Sequence, residues 1–127
     1  MTVSQDQAEQ NKAVVREFFQ KVFIDHQVDA GLELMHDNYI QHNQMVPGGK
    51  EAMRGAFKKG LEGVSTEIKQ IIADGDRVAV HHHFKFNPDS LGAIVIDIFR
   101  LKDGKLAEHW DVMSPVPENP PFPKPLF

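Results

Sequence analysis

Asp97 lies inside an otherwise apolar run of the chain that extends from Ala93 to Phe99. Burial of such a run disfavours an ionised carboxyl group, because the interior solvates charge poorly. Desolvation also raises the pKa of a carboxyl group, which is how a carboxylate becomes an effective acid or base near neutral pH. The run therefore predicts a buried Asp97 with a raised pKa, suited to proton transfer.

The segment that returns after Asp103-Gly104, a pair suited to a tight turn, carries further polar and aromatic residues. A two-residue type I′ turn would place Trp110 opposite Asp97. A three-residue turn over 102–104 with a glycine bulge would place His109 opposite Asp97 and bring Asp111 to the same face. The turn composition favours the second form, which makes His109 a candidate partner for Asp97. Trp110 is then either a substrate platform or a core aromatic residue.

Several of the seven histidines lie on predicted extended segments. His42 and Asn43 follow Tyr39, and a histidine beside an amide could hold a carbonyl oxygen; an exposed loop is the alternative for His42. His81 and His83 share one face of a strand whose other face is apolar. They point outward if the apolar face packs under the helices and line the cavity if the sheet is reversed, and the alternation leaves both open.

The elements that must position these residues are helices first and strands second. Apolar spacing predicts helices over about 5–24, 29–35 and 50–61, the first opened by a capping box of Ser4 and Gln7. Period-two alternation then predicts strands from residue 64 to the hairpin. This order indicates an α+β fold, with a curved antiparallel sheet and the helices on one face. Residues 114–127 contain six of the eight prolines and are expected to form no regular helix or sheet.

Composition excludes several function classes. The net charge of −4 leaves no basic surface for nucleic acid, and no apolar run is long enough to span a membrane. The absence of cysteine excludes disulfides and thiolate catalysis. The polar N-terminus lacks the layout of a signal peptide, so a cytoplasmic location is expected. Two histidines at alternate strand positions are weak evidence for a metal site, and neither metal nor other cofactor is expected.

The stretch from Asp97 to Asp111, together with Tyr39-Ile40-Gln41-His42-Asn43, resembles the SnoaL-like polyketide cyclase family. These proteins share the cone-shaped α+β fold of nuclear transport factor 2 and ketosteroid isomerase. The resemblance implies a sheet wrapped around the N-terminal helices, with an internal pocket, as a single domain over 1–113. In the cyclases a strand aspartate is the acid/base of an intramolecular aldol closure without metal or organic cofactor, and Asp97 matches it. His81 or His83 would match the histidine that the cyclases place upstream.

These observations predict a small-molecule enzyme of the cyclase or isomerase type that binds an apolar carbonyl compound. The predicted catalytic residues are Asp97, His42, His83 and His109, and the predicted substrate-binding residues are Asn43, His81, Trp110 and Tyr39. A non-catalytic binder of a small apolar ligand and a dimerisation module are the alternatives. A homodimer is expected because three helices cannot cover both faces of an apolar sheet. Residues 114–127, called the tail below, are expected either to pack against the domain or its partner subunit, or to remain flexible.

Overall fold

The computed structural model describes residues 3–127, with side chains from Gln5 onward. The predicted capping box depends on Ser4 and lies outside the described side chains, as do the first two residues of the predicted domain. None of the helices in residues 3–127 is long and apolar enough to cross a membrane.

The helices form one layer of the fold. Helix α1 spans Val3–Phe19 and continues into a π-helical turn, Gln20–Ile24, so that together they account for the first predicted helix. Helix α2 is short, Val28–Leu32, and α3 spans Lys50–Gly60. The second predicted helix ends earlier than expected because the chain becomes extended at Met35, where it pairs with the last strand.

Within the described residues, five strands form a single sheet in the order β1-β5-β4-β3-β2. Their bounds are β1 Met35–Gln41, β2 Ser65–Asp74, β3 Arg77–Lys85, β4 Ala93–Lys102 and β5 Lys105–Pro115. Strands β2 to β5 pair antiparallel, and β1 pairs parallel with β5. The predicted α+β class with a curved sheet is confirmed, although β1 makes the sheet mixed.

The core lies between α1 and the inner face of the sheet. Phe18 and Phe19 of α1 contact the ring of Phe99 edge-on, each with ring centroids 6.0 Å apart. Val78 and Val80 of β3 are fully buried below them. Since alternate residues of a strand point to opposite faces, the inner face of β3 also carries His82, while His81 and His83 face outward.

The β4–β5 hairpin has a two-residue turn and a bulge, a combination that differs from both predicted forms. Asp103 and Gly104 have φ of 52° and 77°, as a type I′ turn requires. The pairing then shifts by one residue, because Ala107 is inserted between the pairs Leu101–Leu106 and Arg100–Glu108. Asp97 therefore lies opposite Asp111 rather than Trp110 or His109. The extra residue still leaves Asp97, His109 and Asp111 on one face.

The C-terminal segment folds back along the outer face of the sheet. β5 continues to Pro115, two residues past the predicted domain boundary, and the Val116 N–H donates to the Gly92 carbonyl at 3.0 Å. At its end the Phe127 ring lies 4.6 Å from the His83 ring and 5.7 Å from the His81 ring, centroid to centroid. The tail thus packs on its own sheet, away from the inner face.

Candidate active site

A cavity of about 160 Å³ lies between the inner face of the sheet and the helices. Its walls are largely aromatic and aliphatic, and its polar groups converge at one end, where β1, β3, β4 and β5 contribute inward side chains. The polar lining residues are Tyr39, Gln41, Asn43, His82, Asp97, His109 and Asp111. A wider groove of about 600 Å³ between α2 and α3 does not include these residues.

Asp97 is at the centre of the polar end and is 7% exposed. Its Oδ1 lies 2.6 Å from Nε2 of His109, and its Oδ2 lies 2.5 Å from Nε2 of His82. Both histidines are diagonal neighbours of Asp97 on adjacent strands, since His82 pairs with Val95 and His109 with Phe99. The sheet register therefore places two imidazoles against one buried carboxyl group.

The outer nitrogen of His109 determines the protonation of its ring. Nδ1 lies 2.8 Å from Gln41 Oε1, an oxygen that also accepts the Asn43 backbone N–H at 3.0 Å. An amide oxygen cannot donate, so Nδ1 must carry a proton and donate to Gln41. The 2.6 Å contact between His109 Nε2 and Asp97 then requires a second proton between the two atoms. His109 and Asp97 thus hold one proton between them.

His82 is held at its outer nitrogen by Thr66. Nδ1 of His82 lies 2.5 Å from the Thr66 hydroxyl, and that hydroxyl is also 3.1 Å from the His83 carbonyl. A hydroxyl group can both donate and accept, so Thr66 permits either neutral or cationic His82. Every buried side-chain polar atom in the described part of the chain has a partner. The fully buried polar atoms around Asp97 are therefore all paired, which is the form in which buried polar groups are tolerated.

The predicted raised pKa of Asp97 is wrong. Burial acts to raise the pKa of this carboxyl group, but the hydrogen bonds and positive charge of His109 and His82 outweigh it and lower the pKa below its ordinary value. The apolar sequence around Asp97 indicated its burial but not the two imidazoles that face it. Asp97 is accordingly ionised at neutral pH, and the acid–base group is the cluster rather than the isolated carboxyl group.

Two further polar residues open on the cavity. Asp111 Oδ2 accepts a hydrogen bond from Asn43 Nδ2 at 2.6 Å and lies 3.7 Å from His109 Nε2. Tyr39 is 4% exposed, and burial together with the charges of Asp97 and Asp111 raises the pKa of its phenol. Tyr39 thus remains a neutral hydroxyl group that can donate a hydrogen bond to a ligand.

The structure places His42 and Trp110 on the outer face of the sheet, away from Asp97. Their rings stack in parallel with centroids 4.9 Å apart, and the Arg77 guanidinium lies 4.9 Å from the Trp110 ring centroid. His42 Nε2 lies 2.7 Å from Glu108, which also accepts from Arg100 at 2.9 Å. Gln41 lines the cavity. Because side chains alternate along an extended chain, the next residue, His42, points away from it.

His81 and His83 also face outward, because the apolar face of β3 packs under α1. His83 Nε2 contacts the Leu91 carbonyl at 2.8 Å, and both rings pack against Phe127. The β3 histidine that does face the cavity, His82, was missed by sequence reasoning. The sequence did contain a signal for His82, because it is a polar residue in the apolar stripe of Val78, Val80 and Phe84. A polar residue among apolar ones is also what identified Asp97.

Among the residues that the structure describes, one cluster could hold a metal ion. Asp97, His109 and Asp111 offer ligand atoms within 4.8 Å of one another. Two atoms bound to one metal at about 2.0–2.2 Å each lie about 3.4 Å apart in tetrahedral coordination. The 2.6 Å separation of Asp97 and His109 is shorter and suits a bridging proton better.

Comparison with known proteins agrees with this architecture. Residues 15–109 match the family described as SnoaL-like domain. No curated protein matches the chain. A proposed ketosteroid isomerase from Kribbella flavida superimposes with a TM-score of 0.75 at 17% identity, covering 91% of this chain and 85% of its own.

Two other solved structures are similar. A proposed polyketide cyclase from Bacillus cereus has a TM-score of 0.71 and 23% identity, covering 87% of this chain and 78% of its own. AclR, a proposed hydroxylase from Streptomyces galilaeus, has a TM-score of 0.68 and 20% identity, covering 84% and 90%. The different activities proposed for these three proteins show that the fold alone does not specify a reaction.

Proposed function

Because the chain belongs to the SnoaL-like domain family, we propose that it is a small-molecule enzyme of the cyclase or isomerase type, acting on an apolar carbonyl compound by acid–base chemistry of the aldol kind. The observation that carries this proposal is the short Asp97–His109 contact at the polar end of an otherwise apolar cavity. A carboxylate and an imidazole that share a proton form a group able to take up and return protons.

The cluster supplies the components that enolate chemistry requires. Asp97 and His109 hold a proton between them, and Gln41 keeps the His109 ring in the orientation that directs Nε2 to Asp97. The neutral hydroxyl group of Tyr39 is the donor for the substrate's carbonyl oxygen, where negative charge develops as the enolate forms. The aromatic walls bind the apolar remainder of the substrate and exclude water.

The size of the cavity limits the substrate. Its volume of about 160 Å³ is similar to that of a cavity of about 150 Å³ known to bind benzene. The part of the substrate that enters is therefore about one ring in size, with the carbonyl group at the polar end.

Deuterium exchange tests this proposal without knowledge of the natural substrate. Cyclohexanone, 2-cyclohexenone and acetophenone are screened for cavity binding by NMR, and binders are incubated with protein in deuterated water while loss of the alpha-proton signal is followed. We expect the wild-type protein to accelerate exchange and Asp97→Asn to lose most of that acceleration. Asp89→Asn, in an exposed loop, is the control and should exchange as the wild type does.

A non-catalytic binder of a small apolar ligand is the second candidate, favoured by the lowered pKa of Asp97, which weakens it as a base. The same experiment separates the two functions. A ketone that binds in the cavity but exchanges no faster than it does without protein would support the binder and contradict the enzyme.

The homodimer also remains a proposal, supported by apolar side chains on the outer face of the sheet. Ile72 is 61% exposed and Val112 69% exposed, and Ile98 lies on the same face. A second copy packing on this face would remove them from water. We expect sedimentation to show a dimer at micromolar concentration and Val112→Asp to shift it to monomer; a stable wild-type monomer would contradict the proposal.

A further inference from the structure

The two carboxylates of the cavity differ in how much of their hydrogen-bonding capacity is already used. Each oxygen of Asp97 is bound by a histidine Nε2, at 2.6 and 2.5 Å. A substrate proton could reach Asp97 only in competition with these two donors. The arrangement that ionises Asp97 thus also makes it a poor acceptor for a proton on carbon.

Asp111 has a free oxygen instead. Its Oδ2 accepts from Asn43, while its Oδ1 makes no hydrogen bond to any residue between Gln5 and Phe127. Every fully buried side-chain oxygen in this range has a hydrogen-bond partner. Because Oδ1 has none, it is not fully buried and is open to the space around it. The Asp111 side chain is 15% exposed and lines the same cavity, directly opposite Asp97 in the strand pairing.

We propose that Asp111 is the catalytic carboxylate that takes the proton from the substrate, and that Asp97 is a positioning residue that holds the His109 ring beside it. This inference rests on the proposed enolate chemistry. The substrate C–H bond breaks, an O–H bond forms at Asp111 Oδ1, and the electron pair moves into the enolate, whose oxygen accepts from Tyr39. The proton then returns from Asp111 to another carbon in an isomerisation, or to the new alkoxide oxygen in an aldol closure.

The neighbours of Asp111 suit this role. His109 Nε2 lies 3.7 Å from Asp111 Oδ2, so the imidazole ring stands beside the carboxylate without closing its free oxygen. Asn43 holds Oδ2 and thereby aims Oδ1. The lining residues of the cavity include neither lysine nor arginine, so no long cationic side chain in the lining competes with the substrate for Oδ1.

Phenol tests the accessible oxygen without a substrate, because it is neutral at pH 7, has one ring and can donate its O–H. Anisole has the same ring but no donor. We expect the wild-type protein to bind phenol about tenfold more tightly than anisole in NMR titrations, since a hydrogen bond to a charged group is strong. Asp111→Asn should reduce that preference several-fold, and Asp97→Asn should retain it. Glu108→Gln, on the opposite face of the same strand, is the matched control.

The outcomes separate the two proposals. If Asp97→Asn removes the preference for phenol and Asp111→Asn does not, or if the wild-type protein shows no preference or no phenol binding, the assignment of Asp111 is wrong. If phenol behaves as expected but no bound ketone exchanges deuterium, the enzymatic function fails while Asp111 remains the accessible carboxylate. Asp111→Ser provides a second variant should the asparagine variant fold poorly. With an exchanging ketone, Asp111→Asn should lower kcat at nearly unchanged KM, and Asp97→Asn should shift the pH profile.

Discussion

Replacing Asp97 with leucine should destabilise the protein about twice as much as replacing it with asparagine. Leucine leaves Nε2 of both imidazole rings without a partner, and a buried polar group without a hydrogen bond costs about 1–3 kcal/mol. For His82 and His109 together the expected loss is about 4 kcal/mol of unfolding free energy. Both histidines are less than a tenth exposed, so water cannot replace the lost acceptor.

Asparagine preserves the shape and most of the hydrogen bonding. Its oxygen can accept from His109 and its amide can donate to His82, whose other nitrogen then donates to the Thr66 hydroxyl. What is lost is the charge assistance, about 1 kcal/mol for each bond, or about 2 kcal/mol in total. At about 4 °C per kcal/mol for a chain of this size, the midpoint of thermal unfolding should fall by about 8 °C for asparagine and 16 °C for leucine.

Urea unfolding at several pH values provides the second part of the test. The folded pKa of Asp97 is below the ordinary value of 3.8, so the unfolded state binds more protons between the two values. The stabilisation from ionised Asp97 is therefore complete above about pH 3.8 and declines as the pH falls toward the folded pKa. The stability difference between the wild type and Asp97→Asn should shrink over that acidic range, with Asp89→Asn as the control.

Two results would refute this account of Asp97. A leucine variant as stable as the asparagine variant would mean that the imidazoles find other partners. A stability difference that stayed constant from pH 7 to pH 3 would mean that the histidines do not lower the pKa of Asp97.

Three further predictions concern the residues around this cluster. Thr66→Val should cost about 1–3 kcal/mol in urea unfolding, because it leaves Nδ1 of His82 without its hydroxyl partner, whereas Thr66→Ser should be nearly neutral. Gly92→Ala should destabilise the protein by more than 1 kcal/mol in the same assay, since Gly92 has φ of +78° and an added Cβ would lie 2.2 Å from the Phe84 carbonyl oxygen; Gly75→Asn, at an open positive-φ turn, is the tolerated counterpart. Deleting residues 117–127 should lower the thermal midpoint, because the packing of Phe127 on the sheet is lost, and an unchanged midpoint would show that the tail contributes nothing to stability.

The order of elements and the division of each strand into two faces followed from local pattern, whereas the choice of which β3 face packs under the helices did not. The alternation of Val78, Val80 and Phe84 separates the two faces of β3, because side chains alternate along any strand. The apolar run around Asp97 likewise predicted its burial, and the family resemblance carried by the hairpin is confirmed by the match over 15–109. These properties depend on neighbours in sequence, and no knowledge of the rest of the fold is needed to derive them.

The partners of Asp97 depended on the tertiary structure. One inserted residue, Ala107, moves Asp111 rather than Trp110 opposite Asp97, and a single insertion changes the register without changing the alternation. The parallel pairing of β1 with β5 brings Gln41 to His109 across 68 residues of sequence. Whether Asp97 has a raised or a lowered pKa follows from these contacts, because burial and the two imidazole neighbours act in opposite directions and their balance depends on distances of a few ångströms.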